Sequence, residues 1–316
     1  MNIKELRQEF ISDLSGIYPS EEVLSFFNLL VEKHIGLSRI NVALQPEKAI
    51  SVINTQNFED AIQRLKQFEP IQYIIGETEF YGLTFKVDSN VLIPRPETEE
   101  LVNWIIDDVE ENRKEPFDKF RDHKKEEKIA SKKLPPISIL DMGSGSGCIP
   151  IALAHHIPDA EITGVDISKA ALLLANQNAI LNNVNVKFIE LDILNIEQKK
   201  WNLDPKLRDE NSKFDCIVSN PPYVQEQEKD QIAPNVIDHE PAIALFVKDD
   251  DPLIFYRAIA QFAKNYLKSE GTLYFEINQY LYKDLVNLLK TEGFNEITLR
   301  KDIFGKERMI KCRKDD

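Results

Sequence analysis

Apolar residues open the chain at helical spacing. Ile3, Leu6, Phe10 and Leu14 recur every three or four positions, and so do Val23, Phe26, Phe27, Leu30 and Val31, which marks one apolar face on each of two α-helices. The second run follows Pro19-Ser20 and stops at Gly36, so Ser20 is expected as its N-cap and Gly36 as its stop. A further helix is expected to carry Phe58, Ile62, Leu65 and Phe68. At Pro70 the texture changes. Ile74 to Val91 is rich in β-branched and aromatic residues, with Gly76 and Gly82 as turn points, which predicts a β-hairpin. Then comes Ile93-Pro94-Arg95-Pro96-Glu97-Thr98-Glu99. Its prolines hold the backbone extended and leave Thr98 to cap a helix running to about Val109.

From Pro136 onward strand and helix patterns alternate. Short apolar strands at 137–141, 161–166, 186–191, 214–219 and 271–277 are separated by helical patterns, among them 149–156, 169–181, 253–267 and 283–292. Two more strands, near 296–301 and 308–313, close the chain as an antiparallel pair. Strands that alternate with helices imply a parallel sheet covered on both faces. The expected fold is α/β, a Rossmann-like doubly wound sheet with a C-terminal antiparallel strand, plus a small N-terminal helical domain. The expected divisions are 1–70 (helical), 71–96 (hairpin linker) and 97–316 (the α/β domain). Charged residues of both signs dominate 110–133, and 195–213 is polar; both read as surface insertions.

Composition narrows the function. The formal charge is −14, from 39 Lys and Arg against 53 Asp and Glu, whereas nucleic-acid binders usually carry a basic footprint. No apolar run approaches the ~20 residues of a membrane span. The opening MNIKELRQEFISDL resembles neither a signal peptide nor a transit peptide, so a cytoplasmic location is expected. Cys148, Cys216 and Cys312 are far apart. Their spacing resembles no metal site, and they read as small core side chains.

Three segments carry chemistry. Asp141-Met142-Gly143-Ser144-Gly145-Ser146-Gly147 follows a strand and opens a helix, the context of a nucleotide-binding loop. Glycines there let the backbone turn sharply and approach a ligand without a Cβ in the way. The spacing is G-x-G-x-G rather than the dinucleotide G-x-G-x-x-G, and such a loop alone is a weak signal. Asp166 then ends the next strand at close to the ~20-residue offset of an acid that accepts hydrogen bonds from ribose hydroxyls. Asp192 and Ile193, after the third strand, are placed to meet an adenine amine and one face of its ring. Finally, Asn220-Pro221-Pro222-Tyr223 directly follows the fourth strand, at the strand ends where such folds bind ligands. The Asn220 side-chain carbonyl and the Pro221 main-chain carbonyl can together accept both hydrogens of an NH₂ group. Pro221 and Pro222 stiffen the elbow, and Tyr223 is expected to supply an aromatic wall for a flat substrate.

This order of motifs resembles the class I methyltransferases that modify planar nitrogens. More narrowly, the chain resembles the glutamine N5-methyltransferases of peptide chain release factors (the HemK/PrmC family). The likeness also takes in Pro70-Ile71-Gln72-Tyr73-Ile74, Phe80-Tyr81-Gly82-Leu83, the segment 93–99, His239-Glu240-Pro241 with Ala244-Leu245, and Asp302, Gly305 and Arg308. It implies S-adenosylmethionine as cofactor, held by Gly143, Ser144, Gly145, Ser146, Gly147, Asp166, Asp192, Ile193 and Asn220. It implies Asn220, Pro221 and Tyr223 as catalytic residues, a release factor as partner, and a helical domain that grips it. Adenine-N6 DNA methyltransferases share NPPY, and a related group methylates a ribosomal protein; the segment 93–99 separates this chain from both. One departure is Asn278 after Glu276-Ile277, where many relatives have glycine.

Overall fold

A computed structural model describes residues 1–118, 136–196 and 213–314. Most of the run 110–133 and of the stretch 195–213 lies outside them. The described chain divides into two compact units, Met1–Glu77 with Gln231–Glu240, and Thr78–Asp230 with Pro241–Asp316.

The first unit is helical, with α1 (Ile3–Leu14), α2 (Ser20–Ile35), α3 (Arg39–Leu44), α4 (Val52–Leu65) and α5 (Ile71–Ile75). Its core is the set read from the periodicity: Phe10 meets Phe27 and Phe58 edge-on at centroid distances of 5.7 and 6.0 Å, a geometry aromatic quadrupoles favour, and Phe27 and Phe58 are tilted at 5.7 Å. Gly36 caps α2 in the left-handed region at φ 69°, as expected. Ser20 does not cap it: the cap is Pro19, and Ser20 is the first helical residue, because the fixed φ of proline already sets the entry. Phe68 lies beyond α4, which ends at Leu65, and has φ 61°. The start of the expected hairpin is also different. Ile74 and Ile75 belong to α5, which Gly76 stops at φ 79°.

A tight hairpin, β1 (Glu77–Phe80) and β2 (Leu83–Lys86), leads into the second unit. Tyr81 and Gly82 both have positive φ, the backbone that lets a two-residue turn follow strand twist. Next, α6 (Pro96–Asp118) starts two residues earlier and ends later than expected. The order continues with β3 (Ser138–Met142), α7 (Cys148–His156), β4 (Glu161–Asp166), α8 (Lys169–Leu181), β5 (Lys187–Glu190) and β6 (Phe214–Ser219). A short bridge pairs β7 (Val224–Gln225) with β8 (Phe246–Val247). The chain ends with α9 (Ile254–Tyr266), β9 (Leu267–Glu276), α10 (Tyr282–Thr291), β10 (Phe294–Lys301) and β11 (Glu307–Lys314).

Seven strands form one sheet in the order β10-β11-β9-β6-β3-β4-β5. All pairs from β9 to β5 are parallel, while β11 is antiparallel to β9 and β10. The period of two sorts the core. Ile139, Cys216, Val218 and Tyr274 face one layer with α6 and α7, and Leu140, Met142, Ile217, Leu273 and Phe275 face the other with α9 and α10. Strand order reverses at β3, which has β4 on one side and β6 on the other. That switch point leaves a crevice at the carboxyl ends of the strands, where doubly wound sheets bind ligands.

Candidate active site

At the switch point lies a cavity of about 290 Å³. One bank is the glycine loop after β3. Gly143 and Ser144 donate their main-chain N–H groups to Val165 O at 2.8 and 3.0 Å, and Gly147 N donates to Ser144 O at 2.8 Å. Gly143 and Gly145 have φ of 86° and 52°, and a Cβ on either would meet nothing within 4 Å; it would project into open space rather than packed protein. Gly143, Ser144, Gly145 and Ser146 line the cavity. Gly147 does not. It caps α7, and a Cβ there would come within 2.9 Å of Ile151, so its role is close helix packing.

Asp166 at the end of β4 lines the same bank. One of its oxygens accepts Gly145 N and the other Ser168 N, each at 2.8 Å. Burial pushes its pKa up, and these main-chain donors oppose the rise. A carboxylate has about four lone-pair sites; the Gly145, Ile167 and Ser168 main-chain groups act on this one, which leaves an acceptor site toward a ribose hydroxyl. Behind the loop is Gly164, where a Cβ would sit 2.6 Å from Ser144 Oγ. Asp192 and Ile193 line the far end of the cavity. Asp192 accepts Leu194 N at 2.9 Å and Asn195 Nδ2 at 2.7 Å.

Two buried residues support the loop without having been singled out in the sequence. Asn178 on α8 accepts Lys86 N at 2.7 Å and donates to Lys86 O and Ser146 O at 3.0 and 2.9 Å, tying β2 to the loop. Asp141 is fully buried, and neither carboxylate oxygen has a hydrogen-bond partner among the described residues. Burial pushes its pKa up to about 7 and the charge of Asp166 adds to that; the nearby Ser144 hydroxyl offsets only part. An orphaned buried carboxylate is costly unless a cation or a proton joins it. Cys148 also lines the cavity, but burial pushes its thiol up to about 12, so it is a neutral wall and no nucleophile.

The opposite bank is the elbow after β6. Asn220 and Pro222 line the cavity. Pro221 is buried and Tyr223 half-buried, and neither is among the lining residues. The Tyr223 ring packs against the core and its hydroxyl donates to Glu276 Oε1 at 3.0 Å. Burial and the charge of Glu276 hold that phenol well above its ordinary pKa. Thr98, expected as a helix cap, lies within the first turn of α6 and is buried; its hydroxyl donates to Glu276 Oε2 at 2.6 Å. It also accepts Asn220 Nδ2 at 3.2 Å. Asn278 donates to Tyr223 O and to Glu228 Oε2, each at 3.0 Å, so the residue that departs from the family pattern clamps the elbow from outside.

The remaining wall comes from two other segments. Pro94, Arg95 and Thr98 contribute from one, and Pro241, Ile243 and Ala244 from the other. Both segments carried the family likeness, but their part in the cavity had no local sequence signal. Among the described residues no helix is long and apolar enough to cross a membrane.

A parallel sheet with this strand order, a glycine loop at its switch point and NPPY across the cleft define a methyltransferase domain. Residues 128–244 match the methyltransferase small domain, and residues 5–76 match the PrmC N-terminal domain. The catalytic domain of hMettl16 shares the fold alone, with a TM-score of 0.52 at 13% identity over 79% of this chain and 83% of that one. Much nearer is the release factor glutamine methyltransferase of Flavobacterium psychrophilum, 45% identical over 98% of this chain and 99% of its own. The protein of that name from Bacteroides thetaiotaomicron is 37% identical over 94% of this chain and 95% of its own. The one from Streptococcus pneumoniae is 36% identical over 98% of both. The chain belongs to the release factor glutamine methyltransferase family.

Proposed function

We propose that the chain transfers the methyl group of S-adenosylmethionine to the side-chain amide nitrogen (N5) of the glutamine in the Gly-Gly-Gln motif of peptide chain release factors. The observation that carries this reading is the sharing of one cavity by the glycine loop, Asp166 and Asn220. Family membership supports the choice of acceptor.

The residues present fit the cofactor. Gly143 and Gly145 form a backbone cradle open to the cavity, Asp166 retains an acceptor site for a ribose hydroxyl, and Asp192 and Ile193 border the far end. When bound, S-adenosylmethionine supplies an electrophilic methyl group on a positively charged sulfur.

The protein has to make a poor nucleophile react. An amide nitrogen delocalises its lone pair, so orientation matters more than proton removal. Asn220 Oδ1 and the Pro221 carbonyl accept the two N–H bonds of the glutamine amide. They hold its nitrogen in line for attack at ~3–3.5 Å, where positioning alone lowers a barrier by several kcal/mol. The two prolines keep those acceptors from relaxing. No titratable base is needed if the proton leaves after methylation. The helical segment 1–70 grips the release factor, 71–96 links it, and 97–316 performs the transfer in the cytoplasm.

The test is partition of label. Tritiated cofactor is incubated with the protein and, separately, a release factor, a ribosomal protein fraction and DNA. Label is expected in the release factor alone. Label in DNA, or in the ribosomal fraction with none in the release factor, overturns the assignment.

A further inference from the structure

We infer that Glu276 and Thr98 are positioning residues that set which way round the Asn220 carboxamide stands, and thereby give the elbow its acceptor character. This rests on the acceptor role of Asn220 proposed above and adds two residues to it. They come from different parts of the chain: Thr98 is on α6 and Glu276 ends β9.

The direction of the hydrogen bonds carries the inference. A carboxamide offers an acceptor at one corner and two donors at the other, and the two differ little in shape. Only the oxygen, turned to the cavity, accepts an N–H from a substrate amide; the NH₂ would oppose it. Glu276 is 1% exposed and makes one hydrogen bond at each oxygen, to Tyr223 at 3.0 Å and to Thr98 at 2.6 Å. Burial pushes the Glu276 pKa up, while the Thr98 and Tyr223 hydroxyls and then Arg308, which Asp302 holds at 3.1 Å, oppose the rise. Both Glu276 oxygens accept from hydroxyls, so Oε2 takes the single hydroxyl proton of Thr98 and leaves the Thr98 oxygen only lone pairs to present. Asn220 answers with its NH₂, at 3.2 Å, so its Oδ1 is the corner left for the substrate. The polarity runs Asn220 to Thr98 to Glu276, with Tyr223 closing the other side.

Glu276→Gln tests this because it keeps the shape and removes the enforced direction. The new carboxamide can donate to Thr98, whose hydroxyl is then released to donate to Asn220, and Asn220 turns over. Thr98→Val removes the relay itself, and Thr98→Ser restores it. With release factor as acceptor, kcat is expected to fall roughly 100-fold in Glu276→Gln and Thr98→Val, the scale of a misplaced reacting group. Cofactor Kd by calorimetry is expected to stay within roughly twofold, and Thr98→Ser to regain most of the lost turnover. A second readout needs no substrate. The side-chain ¹⁵N–¹H₂ signals of Asn220, assigned by their loss in Asn220→Asp, are expected to shift in Glu276→Gln and to return to near wild type in Thr98→Ser. Unmoved Asn220 signals in a folded Glu276→Gln protein overturn the inference, even if Thr98→Val does not fold, and so does wild-type kcat in that variant. A wild-type enzyme that labels no release factor overturns the substrate assignment instead, while the signals still decide the orientation of Asn220.

Discussion

The two banks of the cavity are built in opposite ways. The glycine-loop bank is made of main chain: consecutive residues, left-handed glycines, and N–H groups fixed on Val165 O and the Asp166 carboxylate. The elbow bank is made of side chains gathered across the chain, from Thr98, Asn220, Tyr223, Glu276 and Asn278. Backbone can cradle a cofactor by shape, with its own N–H groups held in place by protein acceptors. Choosing one polar face for an acceptor nitrogen needs a directed chain of hydrogen bonds, and this one ends on the two accepting oxygens of Glu276. Substitutions in the first bank should therefore change cofactor affinity, and substitutions in the second should change turnover.

The largest effect is expected at the base of the first bank. Folding raises the pKa of Asp141 from 3.8 to about 7. Between those values the unfolded chain has lost the proton and the folded one keeps it, so stability falls as pH rises through that window. At about 1.4 kcal/mol per pH unit, the total is about 4 kcal/mol. Without cofactor, Asp141→Asn should gain stability relative to wild type from pH 4 to 7 and hold a constant difference above that. Denaturant titrations that show a flat difference across the window would place the proton elsewhere.

Asn220→Ala comes next. Removing a preorganised polar group at the reacting centre costs roughly 100- to 1,000-fold in turnover. Cofactor affinity, measured by calorimetry, should be largely retained; joint loss of both would blur the division between banks. Asp166→Ala should do the reverse. It deletes the carboxylate that receives Gly145 N and Ser168 N, and hydrogen bonds to charged groups contribute about 1.5–3 kcal/mol. Cofactor Kd should rise roughly tenfold or more, while kcat at saturation changes little. Unchanged affinity would remove the ribose contact from the account. The smallest effect is expected at Asn278→Ala, which releases Tyr223 O. A loss of about 1 kcal/mol, seen as a few-fold fall in kcat, is expected, and a fall as large as that of Asn220→Ala would mean the elbow has no other support.

The contrast between banks also explains what the sequence revealed. The glycine loop, Asp166 and NPPY are contiguous segments at strand ends, so alternation of strand and helix places them at the sheet's carboxyl edge. Strands 161–166 and 214–219 and helix 169–181 fall where the pattern put them. Thr98 was expected to cap a helix because a threonine beside prolines usually does so; its bond to Glu276 spans 178 residues and no local pattern encodes it. Tyr223 was expected as a wall for the substrate; its bond to Glu276 was equally hidden, since that carboxylate lies far along the chain. Asn278 stood out only as a departure from a family pattern, and Asn178 did not stand out at all. Within α5, tertiary packing and the Gly76 stop override the β-branched character of Ile74 and Ile75.

The most direct measurement is a crystal structure of the protein with S-adenosylhomocysteine and a release-factor peptide carrying the Gly-Gly-Gln loop. The glutamine amide nitrogen should lie within hydrogen-bond distance of both Asn220 Oδ1 and the Pro221 carbonyl, with the sulfur on the glycine-loop side of it. A glutamine bound away from residues 220–221, or a sulfur that cannot share a methyl's reach with that nitrogen, would contradict the account.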